Sequence, residues 1–476
     1  MSTIRLAALL MAAMAASASA QDQQTTPAES LREAWIGKLN MGVVEPVMQF
    51  RIMDVATSEP VVYFDSISEG RSGFRGTWSR KNTTLIFEIP AIKLTFTGTV
   101  NVTGDVAKGT WRQGGREIPL TLEKRATEYR SVWANRPQRP RPPFPYEAKD
   151  VRFENAADSV TLAGTLTLPV GDGPHPAVVL ISGSGPQDRD EFIWEHRPFL
   201  VLADHLTRHG IAVLRYDDRG TAQSTGKYAG ATVEDFARDA SAAVTFLRAH
   251  DRIDARRVGL IGHSEGGLVA PIVANQRHDI AFLVLMGATG VDGKAVLLSQ
   301  AEAMTRASNA SESEVRLAMA INVAVTEIAA QASPGEDISD KVMQAVDQVI
   351  ATIPGPEREG AGAAIRAQAK GQVGRLQDRW MRHFLNYDPA PALRRLDVPV
   401  LAIWGTRDLQ VLPSVNRPAL ERELAANPGA SFVELEGLNH MFQAARTGSL
   451  SEYAEIDETI NPAALSTITA WLTSLK

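Results

Sequence analysis

Val258-Gly259-Leu260-Ile261-Gly262-His263-Ser264-Glu265-Gly266-Gly267 is an apolar run that breaks into a serine flanked by glycines. A buried strand that turns sharply into a helix forces the residue at the bend into a strained backbone conformation. The neighbours of that residue must lack bulk so that strand and helix can close. Gly262, Gly266 and Gly267 supply the space, and Ser264 stands at the bend as the candidate nucleophile. The same turn places the backbone N–H of Glu265 at the start of the following helix, predicted over Leu268 to Asn275, where it can face a developing oxyanion.

A serine hydroxyl is a poor nucleophile near neutral pH. It needs an imidazole to accept its proton and a carboxylate to orient that imidazole. Pro399 to Trp404 reads as a buried strand and runs into Gly405-Thr406-Arg407-Asp408. The next predicted strand, Ser431 to Leu435, runs into Glu436-Gly437-Leu438-Asn439-His440. Both polar residues therefore follow the carboxyl end of a strand, where open α/β sheets bind ligands. His440 is the only histidine after Asp408, so the order serine, acid, base has a single solution for the base.

The oxyanion needs a second donor from the loop after an earlier strand. Pro176 to Ile181 is that strand, and Ser182-Gly183-Ser184-Gly185-Pro186 is its loop. The N–H of Ser184 is the candidate, with Gly183 as the second choice.

Three segments carry a resemblance to the α/β-hydrolases, and within them to bacterial secreted serine esterases and peptidase-like hydrolases with an N-terminal β-domain. They are Ser182 to Asp190, Leu214-Arg215-Tyr216-Asp217-Asp218-Arg219-Gly220, and Gly262 to Gly266, and the likeness covers most of residues 147–476. The resemblance implies a Ser264, Asp408, His440 triad, ester hydrolysis through an acyl-enzyme, and no cofactor. One departure from the pattern is Ala222, where glycine is expected.

The rest of the chain agrees with a two-domain protein. At 476 residues it exceeds the usual single-domain length, and its hydrophobic fraction of 44% is ordinary for a globular protein. A net charge of −6 offers no basic footprint for nucleic acid. With no cysteine there is no disulfide, thiol nucleophile, thiolate zinc site or lipidated N-terminal cysteine. Residues 1–20 have the layout of a secretory signal: Arg5, an apolar run from Leu6 to Ala16, and Ala18-Ser19-Ala20 before a cleavage after Ala20. The expected location is the periplasm or the cell exterior, with no stable membrane insertion after signal removal.

Residues 21–135 are predicted to form an antiparallel β-domain, barrel or half-barrel. Leu85, Phe87 and Ile89 alternate with polar residues, as do Leu94 and Phe96, and Ile118, Leu120 and Leu122. Arg75-Gly76-Thr77-Trp78 and Lys108-Gly109-Thr110-Trp111 form a weak internal repeat. Prolines at 137, 140, 142, 143 and 145 make residues 136–146 a stiff linker. From 147 to 476 strands alternate with helices, which predicts a mostly parallel sheet covered on both faces. That rhythm is interrupted by an alanine-rich helical lid over about 293–393.

Other constellations read as structural. His205 and His209 have a zinc-like spacing but no third ligand, so no metal site is expected. Asp188 to Glu191 reads as a solvated loop with internal ion pairs, and Asp217, Asp218 and Arg219 as charges that satisfy each other. Trp380, His383, Phe384 and Tyr387 read as lid core more than pocket wall. The resulting expectation is a carboxylesterase acting on small-molecule esters. A serine peptidase or amidase is the alternative, and a non-catalytic binding protein a minor one.

Overall fold

A computed structural model describes residues 29–40, 46–55, 58–67, 71–126, 136–453 and 455–475. The signal assigned to residues 1–20 lies outside these described residues.

The N-terminal domain is a closed barrel of strands β1 to β8: β1 (Glu29–Lys38), β2 (Val47–Val55), β3 (Ser58–Ser66), β4 (Arg71–Lys81), β5 (Thr84–Ile89), β6 (Leu94–Val100), β7 (Val106–Gln113) and β8 (Arg116–Arg125). Each strand pairs antiparallel with the next, and β8 returns to β1 with Lys124 opposite Trp35. Alternation decides the inside. Leu85, Phe87 and Ile89 are fully buried, as are Leu94 and Phe96 on the neighbouring strand. Phe50 and Phe87 stack at 4.4 Å in the centre. Closure pairs β8 back onto β1, and aromatic and aliphatic side chains pack in the interior. The internal repeat has a packing cause: a Cβ on Gly76 or on Gly109 would overlap the backbone of the adjacent strand, at Glu88 and Thr97 respectively.

The second domain is built on an eight-stranded sheet of order β16-β15-β14-β13-β11-β12-β10-β9. Its strands are β9 (Glu147–Asn155), β10 (Val160–Leu168), β11 (His175–Ile181), β12 (Ala212–Tyr216), β13 (Ile253–His263), β14 (Leu283–Met286), β15 (Val400–Gly405) and β16 (Ala430–Leu435). The hairpin β9–β10 is antiparallel to its neighbours. From β12 to β16 the pairing is parallel. Two apolar layers flank this sheet because successive side chains face opposite ways. Val178, Leu180, Ile261 and Ile403 pack with helices α1 (Pro198–Arg208) and α11 (Pro462–Ser474). Val179, Ile181 and Leu260 pack with α2 (Val233–Arg248) and α3 (Gly266–Gln276) on the other face.

Six helices separate β14 from β15: α4 (Gly293–Ala307), α5 (Glu312–Gln331), α6 (Ser339–Ile350), α7 (Gly355–Leu376), α8 (Arg379–Asn386) and α9 (Ala390–Leu393). They occupy the stretch read as a lid. The chain then continues through α10 (Pro413–Glu423). No helix among the described residues is long and apolar enough to cross a membrane.

Two details depart from the sequence reading. His196 to Arg208 reads as a helix from the sequence, but α1 starts at Pro198, whose fixed φ suits a first helical turn. His196 is instead buried, with its ring bonded to Thr459 and to the carbonyl of Tyr453. Ala222, at the position where glycine is expected, adopts a left-handed φ of 46°.

Candidate active site

The bend after β13 has the geometry that the glycines suggest. Ser264 has φ 52°, a left-handed conformation that costs a non-glycine residue energy and is tolerated where surrounding structure enforces it. A Cβ on Gly262 would overlap the backbone of Gly266, and one on Gly266 would overlap the carbonyl of Ile181. Strand and helix therefore meet at a separation that only glycine permits. Helix α3 begins at Gly266, with Glu265 as its N-cap residue.

Asp408 and His440 meet at the ends of β15 and β16. His440 Nδ1 lies 2.7 Å from Asp408 Oδ2, and both side chains are buried. The other carboxylate oxygen of Asp408 accepts the backbone N–H groups of Gln410 and Val411, each at 2.8 Å. With Nδ1 committed to the carboxylate, Nε2 is the nitrogen left for proton transfer. The serine loop reaches this pair through β14. Ser264 N–H donates to the carbonyl of Met286 at 2.8 Å. The next residue, Gly287, packs so closely on His440 that a Cβ there would stand 3.2 Å from both Nδ1 and Cε1 of the ring.

The two candidate oxyanion donors line one cavity with Ser264. Ser184, Glu265 and Ser264 all border an empty volume of about 770 Å³, which includes its open mouth. Gly183, the second choice, is committed elsewhere, because its N–H donates to Glu191 Oε1 at 2.7 Å.

Glu191 overturns the solvated-loop reading of residues 188–191. Its side chain is buried, and Oε1 also meets His263 Nδ1 at 2.8 Å. His263 Nε2 in turn meets the carbonyl of His440 at 3.1 Å. Burial alone would favour a neutral His263 ring. The Glu191 carboxylate and the His440 carbonyl outweigh that and raise its pKa above that of a free imidazole. The only sequence hint of this role was the placement of His263 inside the serine motif.

The neighbouring charges are also wired differently from the local pairing read in the sequence. Arg189 pairs with Asp217 at 2.7 Å, Asp190 with Arg215 at 2.8 Å, and Arg219 with Asp239 at 2.6 Å. Asp218 accepts from Ser182 Oγ at 2.7 Å and from the N–H of Gln187 at 2.8 Å, and burial raises its pKa. Asp217, Asp218 and Arg219 thus find partners across the fold, in the loop that follows β12.

Helices α7 and α8, in the stretch read as a lid, supply much of the cavity wall. Leu376, Trp380, Met381 and Phe384 line it, opposite Leu268 and Val411. Trp380 and Phe384 stack at 5.1 Å, so two members of the aromatic stripe are pocket wall as well as core. Trp380 Nε1 donates to Glu265 Oε1 at 2.5 Å. Burial pushes the Glu265 carboxyl up to about 7 despite that bond. His205 Nε2 meets Thr469 Oγ1 at 2.9 Å, and no cluster of possible metal ligands occurs among the described residues.

Over 299 residues, 63% of this chain, the sequence is 28% identical to Esterase EstD of Thermotoga maritima, and the match spans 61% of that protein. Among solved structures, the Pyrococcus furiosus esterase Pf2001 aligns over 69% of this chain and 91% of its own, with a TM-score of 0.40 and 16% identity. The alpha/beta hydrolase GrgF from Penicillium sp. sh18 aligns over 69% and 99%, with a TM-score of 0.42 and 17% identity. The profile of the Alpha/beta hydrolase family matches residues 178–448, from the core of β11 to the loop beyond His440 and more than half of the chain. A mostly parallel sheet, a glycine-flanked serine at the end of its central strand and a family match over residues 178–448 lead to one conclusion: this chain belongs to the alpha/beta hydrolase family.

Proposed function

We propose that the protein is a serine carboxylesterase working through an acyl-enzyme. The observation that carries this reading is the buried Asp408–His440 pair, closed at 2.7 Å beside the strained turn that presents Ser264. In the proposed mechanism His440 Nε2 takes the Ser264 proton as Oγ attacks the ester carbonyl. The N–H groups of Ser184 and Glu265 then hold the oxyanion, and protonated His440 releases the alcohol. Water repeats the cycle on the acyl group. Asp408 keeps the imidazole in the required tautomer and stabilises its charged form. The mainly apolar cavity wall suits a small-molecule acyl or aryl group, and the similarity to a protein named as an esterase supports ester over amide substrates. The layout of residues 1–20 supports export to the periplasm or the medium.

The test is Ser264→Ala assayed on p-nitrophenyl esters and, in parallel, on aminoacyl p-nitroanilides. Loss of ester turnover with an unchanged circular dichroism spectrum is the expected result, together with fluorophosphonate labelling of the wild type at Ser264. Wild-type activity in the variant would refute the nucleophile. Faster cleavage of the anilides would move the assignment to an amidase.

A further inference from the structure

The cavity beside Ser264 is not uniformly apolar. Gln372, on lid helix α7, and Thr289, in the loop after β14, both line it and are 8% and 5% exposed. The buried Oε1 of Gln372 and Oγ1 of Thr289 have no hydrogen-bond partner among the described residues. Gln300, on α4, lines the same cavity and is 9% exposed. Buried polar atoms are nearly always paired, so two orphans on one cavity wall call for a bound partner. The charged groups of this wall are already engaged: Glu265 is bonded to Trp380, and Arg375 is not free.

We infer that Gln372 and Thr289 form a polar subsite that reads a neutral hydrogen-bonding group, an amide or a hydroxyl, on the acyl part of the substrate. This rests on the esterase reading and narrows it, from plain aliphatic esters to esters whose acyl chain carries such a group. Neutrality follows from the subsite itself. A carboxamide and a hydroxyl can each donate and accept, but neither offers the opposite charge that a buried ion needs. An aliphatic chain placed there would leave both atoms unpaired, which is how polar sites reject apolar analogues.

The experiment compares p-nitrophenyl N-acetyl-β-alaninate with p-nitrophenyl hexanoate, whose acyl chains are equally long but differ by an internal amide. The readout is the ratio of their kcat/KM values in the wild type, in Gln372→Met and in Thr289→Val. Comparing ratios between proteins cancels the intrinsic reactivity of each ester, and fluorophosphonate labelling of Ser264 reports that each variant keeps its site. The ratio is expected to fall about tenfold in Gln372→Met and severalfold in Thr289→Val, the loss of one hydrogen bond each. Ratios within about twofold of wild type in both variants would overturn the subsite, leaving those atoms to water alone.

If neither ester is turned over and Ser264 resists labelling, the esterase reading itself fails. Calorimetry on Ser264→Ala then reads the subsite separately, using the methyl esters of N-acetyl-β-alanine and hexanoic acid. Tighter binding of the amide-bearing ester sustains the subsite, and equal or weaker binding removes it.

Discussion

His263 is held between two acceptors, with Nδ1 at 2.8 Å from the Glu191 carboxylate and Nε2 at 3.1 Å from the carbonyl of His440. A carboxylate and a carbonyl both accept, so the doubly protonated ring satisfies both contacts, which fits the upward shift of the His263 pKa. Because Glu191 also accepts the N–H of Gly183, one buried pair fastens the Ser184 loop to the loop of His440. Its action is indirect, through the positions of the groups proposed to do chemistry.

Glu191→Gln keeps the shape but removes the charge that holds His263 protonated. Small displacements of reacting groups cost on the order of 10²-fold in rate. The variant is therefore expected to lose about that factor in kcat on a p-nitrophenyl ester, with little change in KM. A kcat equal to wild type would mean that the bridge is structural only.

Asp408→Asn preserves the two backbone hydrogen bonds but offers the His440 ring an amide that can stabilise the wrong tautomer. By the precedent of other triads, kcat should drop on the order of 10⁴-fold. Steady-state kinetics with unchanged thermal unfolding check this, and near-normal turnover would exclude Asp408 as the orienting acid.

Glu265 gives stability a pH dependence of defined sign. Its carboxyl titrates at about 7 in the fold because it is buried, against 4.5 for the free group. Between those values the folded state holds a proton that the unfolded chain has lost, so stability falls as pH rises from about 5 to about 7. The shift corresponds to a loss on the order of 3 kcal/mol. The raised His263 acts in the same direction: its contribution is full below the free-imidazole pKa and is lost as pH rises through the folded value. Glu265→Gln should remove the Glu265 share of the decline and leave those of His263 and Asp218. Urea unfolding at pH 5 and pH 8 measures it, and an equally steep decline in the variant would contradict the assignment.

Two glycine-to-alanine changes should have opposite signs. Gly262→Ala drives a methyl into the backbone of Gly266, where nothing flexible can yield, and should cost about 3 kcal/mol or more. Gly374→Ala, inside α7 with open space around it, should gain about 0.5–1 kcal/mol from helix propensity. Thermal unfolding of the pair checks both signs.

The fold was legible where one residue type, repeated at one period, has only one way to be buried. Leu85, Phe87 and Ile89 alternate and fill the barrel, while the apolar runs at Val178 to Ile181 and Val258 to Ile261 form central strands of the sheet. The serine turn was legible too, since a left-handed residue between glycines is a local requirement of the chain. Asp408 and His440 could be placed on loops after strands, but their separation of 2.7 Å belongs to the assembled sheet.

The charged loops were read less well, for a physical reason. Asp217, Asp218 and Arg219 are neighbours in sequence, yet each pairs with a residue that only the fold brings near. Glu191 looked like one of three acidic residues in a charged loop, and its burial against His263 is set by the meeting of two distant loops.

By itself, then, the sequence determined the strand–turn–helix at Ser264, the alternation that fills the β-domain and the helical interruption before β15, because hydrophobic period and backbone sterics act locally along the chain. Tertiary structure alone decided which carboxylate meets which cation, that Trp380 closes onto Glu265 and that Gln372 and Thr289 face one cavity. Those relations depend on distances through space, which exist only once the sheet and the helices between β14 and β15 have packed.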